Sequence, residues 1–600
     1  MKWIYRLLPI VLLSAGVMAL SACRKDDPQS DDPPTDNGIL NFINPAEGRE
    51  ISPSGETVSC VLMAEESYVA ELVVKSGGDD WVALTKGQTG EAGRNTVRLV
   101  FETNADPDAR EADLFIRVDG YERVCVATFV QSKDRQTAVT EKNKTLNEYM
   151  HQRLQKEYLW DQYNGLTVDL EMDYTQFLST HLLKLGDINV EDGGTYRAGS
   201  PDRGKRFIYS NIQEVAPLTK VYETAGLGFG PIFSSQIDAQ GTIGLSIAYV
   251  HQGSPAWNAG IRRGDTIFRV NGVVLNANNY QSYMTALYYS PSGSYEFGLI
   301  RDADITKKLQ VSVSVDIYRY NSVLYSGVIE EGEHRIGYLV LENFDLDAQD
   351  FVVDILQQLK DKNINELILD LRFNPGGAVA QSRYLASAIA GTKHLDDVFV
   401  NVNFRGNRSQ SWKFRGGPND EDGLGIAPDL GLSRLYVIGS ENTASASELI
   451  INGLRGIDFP VILVGSRTEG KNVGMTTTQT TYLNTKYLFS PITFRVSNAK
   501  GFGDYPDGIM PDDGFVVNNQ NGSYSDDIDN VFPYSFGDWG DMRFNKALHL
   551  AYQDIVGSSA QQASVRALSL NEFVPVPLGD TGLKQPVHGR YGNVIYLGEE

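Results

Sequence analysis

The sequence predicts a multidomain α+β chain, with a β-sandwich first, a helical segment behind it, a small β domain in the middle and an α/β domain after that. Three observations predict it. Residues 39–133 alternate apolar and polar positions in short runs between Gly, Asp and Pro turns, which is the period of half-buried strands. Leu146, Tyr149, Met150, Leu154, Tyr158 and Leu159 then recur at three- and four-residue spacing, which is the period of a helix. From about residue 331, apolar runs such as Glu366-Leu367-Ile368-Leu369-Asp370 are each followed by a turn and a helical pattern, the order of a parallel sheet. A chain of 600 residues is also too long for one hydrophobic core, so separate domains are expected.

At the N-terminus, Lys2 and Arg6 precede an apolar run over residues 7–20, which is too short to span a bilayer and has the layout of a secretory signal peptide. The run ends in Leu20-Ser21-Ala22-Cys23, which resembles a bacterial lipobox. That resemblance implies a signal peptide over 1–22 and a lipidated Cys23 as the mature N-terminus. It further implies a cell-envelope lipoprotein, on the outer membrane and facing the periplasm or the surface. Residues 23–38 are rich in Asp, Pro and Ser and read as a disordered tether. Their Lys-Asp-Asp run is similar to signals that send Bacteroidetes lipoproteins to the surface, and it equally fits a solvated linker. No later segment is long and apolar enough to cross a membrane, so the lipid is expected to be the only membrane contact. The 76 acidic against 53 basic residues give a formal charge of -23 with no basic stripe, which argues against nucleic acid as a partner.

Within 39–133, Thr57-Val58-Ser59-Cys60-Val61-Leu62 and Arg123-Val124-Cys125-Val126-Ala127-Thr128-Phe129-Val130 are representative strands of an Ig-like sandwich. Cys60 and Cys125 are compatible either with a disulfide or with two buried thiols. Trp81, the turn at 104–110 and the closing Phe129-Val130-Gln131 resemble the BACON modules that precede enzymes in Bacteroidetes. The family name implies glycan binding, while a spacer is the simpler role, and Trp81 is expected in the core.

Helices are expected from about 138 and over 174–183, within a helical part spanning 138–215. Next comes Gly226-Leu227-Gly228-Phe229, followed by strands near 242–250, the turn Gly253-Ser254-Pro255-Ala256 and Ala259-Gly260-Ile261-Arg262-Arg263-Gly264-Asp265. These motifs together resemble a protease-type PDZ domain over 216–302. In such a domain, backbone N–H groups of the Gly-Leu-Gly-Phe loop cradle a peptide's terminal carboxylate while the peptide adds as a strand to the sheet edge. Glycine suits a loop that backbone and ligand approach closely.

In the α/β segment over 303–516, three strands end in turns that can carry chemistry, since sites of open α/β sheets form at the carboxyl ends of strands. Asn374-Pro375-Gly376-Gly377 breaks the first. Glu441-Asn442-Thr443-Ala444 follows Leu435-Tyr436-Val437-Ile438-Gly439 and leads into a helix at Ser445. The strand at 461–464 leads to Gly465 and Gly470-Lys471. A serine at a helix N-terminus lies beside unpaired N–H groups, so the oxyanion formed when Ser445 attacks a carbonyl can be met by the Ala446 N–H. The diglycine can supply a second donor, Gly377 first and Gly376 second. A serine needs a base, and the seven histidines are scattered without motif or metal-ligand spacing. Lys471 can serve if burial keeps its amine neutral.

Thr443-Ala444-Ser445-Ala446-Ser447-Glu448 with Gly470-Lys471 is similar to the nucleophile and base motifs of carboxyl-terminal processing serine proteases. Asp370-Leu371-Arg372-Phe373-Asn374-Pro375-Gly376-Gly377 resembles their oxyanion turn, and Tyr505-Pro506-Asp507-Gly508-Ile509-Met510-Pro511-Asp512 resembles the segment that closes their domain. The resemblance covers about 140–516. It implies a crotonase-like α/β domain with a PDZ domain upstream, a Ser445–Lys471 dyad, no cofactor or metal, and exported polypeptides with exposed C-termini as substrates. It departs at Met475, where the family usually has a glutamine that orients the lysine. A neighbour such as Gln479 can substitute, the dyad can suffice alone, or activity is reduced. The last case leaves a second function, a catalytically impaired surface lipoprotein that holds peptides or glycans.

Two further patterns carry less. Ser445 alone also reads as an ordinary N-cap. Gly465-Ser466-Arg467-Thr468-Glu469-Gly470-Lys471 has phosphate-loop spacing, but Asn472 and the β-prone residues behind it supply neither the Mg²⁺ hydroxyl nor the helix such a loop needs. Residues 517–600 show one helix, near 545–555, and no functional motif.

Overall fold

The computed structural model describes residues 40–512 apart from 45–46, 53–54, 78–79, 105–108, 132–134, 189–191, 196–205, 216–222, 290, 302–303, 332–333, 415–425 and 483–484, together with 534–538, 540–556 and 573–575. The expected signal peptide, Cys23 and the tether lie outside the described residues, as do residues 105–108 of the turn at 104–110 and most of 517–600. The chain divides into two compact units, residues 1–139 with 481–485, and the remainder.

In the first unit a four-stranded and a five-stranded sheet share one apolar layer. The strand Glu56–Ala64 shows why: every second side chain, Val58, Cys60, Leu62 and Ala64, points inward and is buried, as a pleated strand with one wet face requires. Leu114, Ile116 and Phe129 meet Val97, Leu99 and Phe101 from the other sheet. Trp81 lies in this core as expected, with its Nε1 donating to the Ser76 carbonyl at 3.0 Å. Cys60 and Cys125 stand in different sheets.

The second unit begins within helix α1 (Arg135–Glu157), at residue 140, and continues with α2 (Tyr174–Leu182), capped by Asp173, which accepts the Thr175 N–H at 2.8 Å. Leu154, Tyr158, Phe177 and Leu182 bury their apolar stripe against Val473, Met475 and Ile492, so the helical segment covers the strand that follows Lys471.

Strands β1 (Phe229–Gln236), β2 (Ile243–Val250), β3 (Thr266–Val270), β4 (Ser294–Arg301) and β5 (Asp304–Ser314) form the antiparallel sheet of the middle domain in that spatial order, with helix α3 (Tyr280–Tyr289) beside β1. The sheet continues to Ser314, past the boundary at 302 that the sequence led us to expect. The face of β5 is largely polar and exposed, so the alternation that marks a strand is weak there.

The α/β domain is built on β6 (Val323–Glu331), β7 (His334–Leu341), β8 (Glu366–Asp370), β9 (Leu435–Gly439) and β10 (Val461–Gly465), with β11 (Phe573–Pro575) added antiparallel at the β6 edge. The run from β7 to β10 is parallel. Helices α4 (Gln349–Asp361), α5 (Val379–Ala390) and α6 (Ala446–Gly456) cover one face, and α7 (Met542–Val556) covers the other. Leu339 and Leu341 therefore face one layer while Tyr338 and Val340 face the other, which is why these strands read as unbroken apolar runs.

Helix α7 is pinned electrostatically. Asp541 accepts the Arg543 and Phe544 N–H groups at 3.1 Å through Oδ1, and its Oδ2 pairs with Arg372 Nη1 at 2.8 Å. Arg372 also grips Asp370 through Nε and Nη2, and all three charged side chains are at most 1% exposed. Removing one partner of such a buried group strands the rest. Asp541→Ala is expected to cost on the order of 3–5 kcal/mol, read as a lowered midpoint in chemical denaturation. A change below about 0.5 kcal/mol would show that the pair contributes little.

Candidate active site

The three turns predicted from the sequence lie at the carboxyl ends of β8, β9 and β10 and are tied to one another by hydroxyls. The Ser440 and Thr443 hydroxyls donate to the Arg372 and Leu371 carbonyls at 2.5 and 2.8 Å, and the Ser447 hydroxyl donates to the Asn374 carbonyl at 2.9 Å. The Glu469 N–H then reaches the Thr443 carbonyl at 2.9 Å. Small polar residues recur here because each must bridge two turns inside a dry interior.

Ser445 is the N-cap of α6, with φ 57° and ψ −117°. That is strained backbone for a residue with a Cβ, costing about 1–3 kcal/mol, and such strain gathers where surrounding structure enforces it. Its N–H donates to Glu448 Oε2 at 2.8 Å and its carbonyl accepts the Leu449 N–H at 2.9 Å. Its hydroxyl is fully buried and has no hydrogen-bond partner among the described residues.

Glu448 links the serine to the lysine. The Oε2 that holds the Ser445 N–H also accepts the Lys471 N–H at 2.9 Å, while Oε1 takes the Gly470 N–H at 2.7 Å and the Thr468 hydroxyl at 2.6 Å. One carboxylate oxygen thus draws both backbones to a single point. Burial pushes this carboxyl up to about 7, against the hydrogen bonds that favour its charge.

Lys471 is completely buried. Its amine lies 4.0 Å from Met475 Sδ and 4.8 Å from the centroid of the Tyr209 ring. Loss of water brings its pKa down to about 7, while Asp192, Glu448 and Glu469 pull the other way by favouring the ammonium. Gln479, offered by the sequence as one alternative to the missing glutamine, is exposed on the strand Thr478–Tyr482.

The diglycine turn packs directly on the serine. A Cβ on Gly376, whose φ is +109°, would lie 2.7 Å from Ser445 Cβ and 3.0 Å from the Ala446 nitrogen. A Cβ on Gly377, at φ +133°, would strike the Phe344 carbonyl at 2.2 Å. The Gly376 N–H already donates to Asn374 Oδ1 at 2.9 Å. The structure therefore brings Ser445, Ala446, Gly376, Gly377 and Lys471 to one sheet edge. It places Gly226, Leu227, Gly228 and Phe229 elsewhere, leading into β1, which ends the middle domain's sheet among the described residues, with Gly226 paired to Asp316 in a separate two-stranded ladder. There the Leu227 and Gly228 carbonyls accept the Ala256 and His251 N–H groups at 2.9 Å, and a Cβ on Gly228 would meet Ser254 Cβ at 2.1 Å.

Behind Lys471 runs a strand, Val473–Met475, and not the helix of a phosphate loop. Among the described residues no group of His, Cys, Asp and Glu could hold a metal ion, and no helix is long and apolar enough to cross a membrane. Sequence reasoning gave no role to Glu448, Tyr209 or Asp192. Glu448 was findable, since Ser445-Ala446-Ser447-Glu448 has capping-box spacing. Tyr209 and Asp192 lie too far away in the chain for any local pattern to mark them.

Residues 335–512 match the model of peptidase family S41 and residues 246–287 that of the PDZ domain. The chain thus carries an S41 domain, the domain of a family of serine-type peptidases, with a PDZ domain upstream. Its relatives are carboxyl-terminal-processing proteases. It is 26% identical over 280 residues to carboxyl-terminal-processing peptidase 1 of Arabidopsis thaliana chloroplasts, covering 45% of this chain and 52% of the relative. It is 25% identical over 393 residues to the carboxyl-terminal-processing protease of a Picosynechococcus strain, covering 64% and 83%. The chain therefore spans about half the length of the Arabidopsis relative. The crystal structure of a candidate S41 protease from Bacteroides fragilis shares the fold, with a TM-score of 0.53 and 20% identity over 68% of this chain and 98% of that one.

Burying an amine costs stability wherever the unfolded chain would be charged. With a pKa of about 7 folded and 10.5 unfolded, the cost is full below pH 7 and fades as pH rises to 10.5. Lys471→Met is therefore expected to raise the unfolding free energy by about 2–4 kcal/mol at pH 6, the gain shrinking towards zero near pH 10.5. A pH-independent difference would count against a buried titrating amine.

Proposed function

We propose that this protein is a serine endopeptidase of the carboxyl-terminal processing type, with Ser445 as nucleophile and Lys471 as general base. One observation carries the reading: a completely buried amine, brought to about 7, shares a carboxylate anchor with a strained serine whose buried hydroxyl lacks a partner among the described residues. Such a hydroxyl is desolvated and unengaged, which suits a group whose partner is the substrate.

In the proposed reaction Ser445 Oγ attacks the scissile carbonyl carbon while its proton passes to the neutral Lys471 amine. The negative charge then forming on the carbonyl oxygen is met by the Ala446 N–H and the Gly377 N–H; Gly376 is a poorer donor because Asn374 already takes its N–H. The C–N bond breaks as Lys471 returns the proton to the departing amine. Water then repeats the sequence on the acyl-enzyme, giving a carboxylic acid and restoring Ser445.

The substrates we propose are exported polypeptides with exposed C-termini. The supporting feature is the PDZ sheet, whose order ends on β1 with the Gly226-Leu227-Gly228-Phe229 loop at its start, so a peptide can add as a strand there. In the same reading Cys23 carries a lipid that holds the protein at the outer membrane, the α/β domain is crotonase-like, and the first unit is an Ig-like, BACON-like spacer.

The test is cleavage of an unfolded protein bearing an apolar C-terminal tail. Ser445→Ala and Lys471→Ala are each expected to lower turnover by roughly 10³-fold or more while tail-peptide binding persists. Wild-type activity should rise through about pH 7 as the amine loses its proton and level off above it, with Glu448 ionising over the same range. A folded wild type that binds tails yet cuts nothing, or a Lys471→Ala variant with undiminished rate, would overturn the assignment.

A further inference from the structure

Met475 stands where the resemblance leads one to expect an orienting glutamine, and a thioether at 4.0 Å is a weak acceptor for an amine. The lysine is nevertheless in contact with a second side chain, contributed by the segment ahead of the PDZ domain. The Tyr209 ring has its centroid 4.8 Å from Lys471 Nζ, inside the range in which an aromatic face attracts a cation.

The ring is clamped at both ends. The Tyr209 N–H donates to Asp192 Oδ1 at 3.0 Å, and its hydroxyl donates to Glu469 Oε1 at 3.1 Å, two residues before the lysine. Asp192 is itself fixed in the interior by the Ser210 N–H at 3.0 Å, the Ser210 hydroxyl at 2.6 Å and the Tyr158 hydroxyl at 2.8 Å. The Ser210 hydroxyl in turn accepts the Ile492 N–H at 2.9 Å, which joins this segment to the sheet behind the site.

We propose that Tyr209 is a positioning residue for Lys471, its ring face orienting the amine and stabilising the ammonium that forms as Ser445 gives up its proton, an inference that rests on the Ser445–Lys471 reading above. A ring quadrupole acts only weakly on a neutral amine and attracts an ammonium, so its contribution appears as the proton arrives. That is the behaviour a base in a dry site needs, because stabilising only the charged product lowers the barrier without first protonating the base. The charged and titratable groups acting on the amine include Asp192, Glu448 and Glu469, with the Tyr209 ring among them.

The experiment follows the reaction of Ser445 with a fluorophosphonate probe as a function of pH, using the full chain. The variants are Lys471→Ala, Tyr209→Phe, Tyr209→Leu, and progressively fluorinated phenylalanines placed at position 209. Wild type should react with a midpoint near 7, and Lys471→Ala should hardly react. Tyr209→Phe, which keeps the ring and loses the hydroxyl's bond to Glu469, should stay within about threefold of wild type. Tyr209→Leu should fall roughly 3- to 30-fold on the alkaline plateau, with the midpoint moved to lower pH. The fluorinated series keeps the shape while draining the ring's negative face, so the rate should fall stepwise with fluorine content even if Tyr209→Leu fails to fold. A flat fluorine series with Lys471→Ala inert would overturn the role of Tyr209 and leave the dyad standing. A Lys471→Ala variant as reactive as wild type would overturn the dyad itself.

Discussion

Glu448 accepts hydrogen bonds from the Ser445, Gly470 and Lys471 N–H groups and from the Thr468 hydroxyl, all inside a region without exposed surface. Two turns that leave different strands of a parallel sheet have no intrinsic reason to meet. Here they meet because each ends on the same carboxylate, whose lone pairs would otherwise be stranded in a low dielectric. The strained serine, the buried amine and the glycines that pack against them all presuppose this point. A side chain whose place in the sequence suggests only a helix cap therefore sets the geometry of everything the site could do.

The surroundings add cost and support in comparable measure. A positive φ at Ser445, a dehydrated amine and a buried hydroxyl without a partner among the described residues each oppose folding. Against them stand two apolar layers on the α/β sheet, one under α4, α5 and α6 and one under α7, together with the cluster that α1 and α2 form over Val473 and Met475. The proposed site is thus held in place by packing from three directions, and its strain is local while its support is distributed.

Much of this was legible in the sequence. The strand Leu435–Gly439, the helix from Ser445 and the strand from Val461 were readable to within a residue, because apolar runs bounded by glycine and small polar turns leave little freedom. The diglycine was readable as a place of close approach, and the structure shows what approaches it. Tyr209 and Asp192 were not readable, because a contact closed across more than 260 residues of sequence leaves no local pattern. The end of the PDZ sheet was missed for a related reason: β5 buries too little for its alternation to stand out. Motifs announce the turns that carry Ser445 and Lys471, while the groups packed around them are recruited from wherever the fold supplies a side chain.

The pairing of Arg372 with Asp541 carries a consequence for how the molecule is made. The arginine follows the strand whose end forms the diglycine turn, yet the Asp541 carboxylate sits at the head of a helix encoded far downstream of the Lys471 turn. A chain clipped ahead of residue 541 holds this guanidinium without the Asp541 carboxylate in a place meant to be dry. Settlement of the parallel sheet is thereby coupled to a helix synthesised long after its parallel strands.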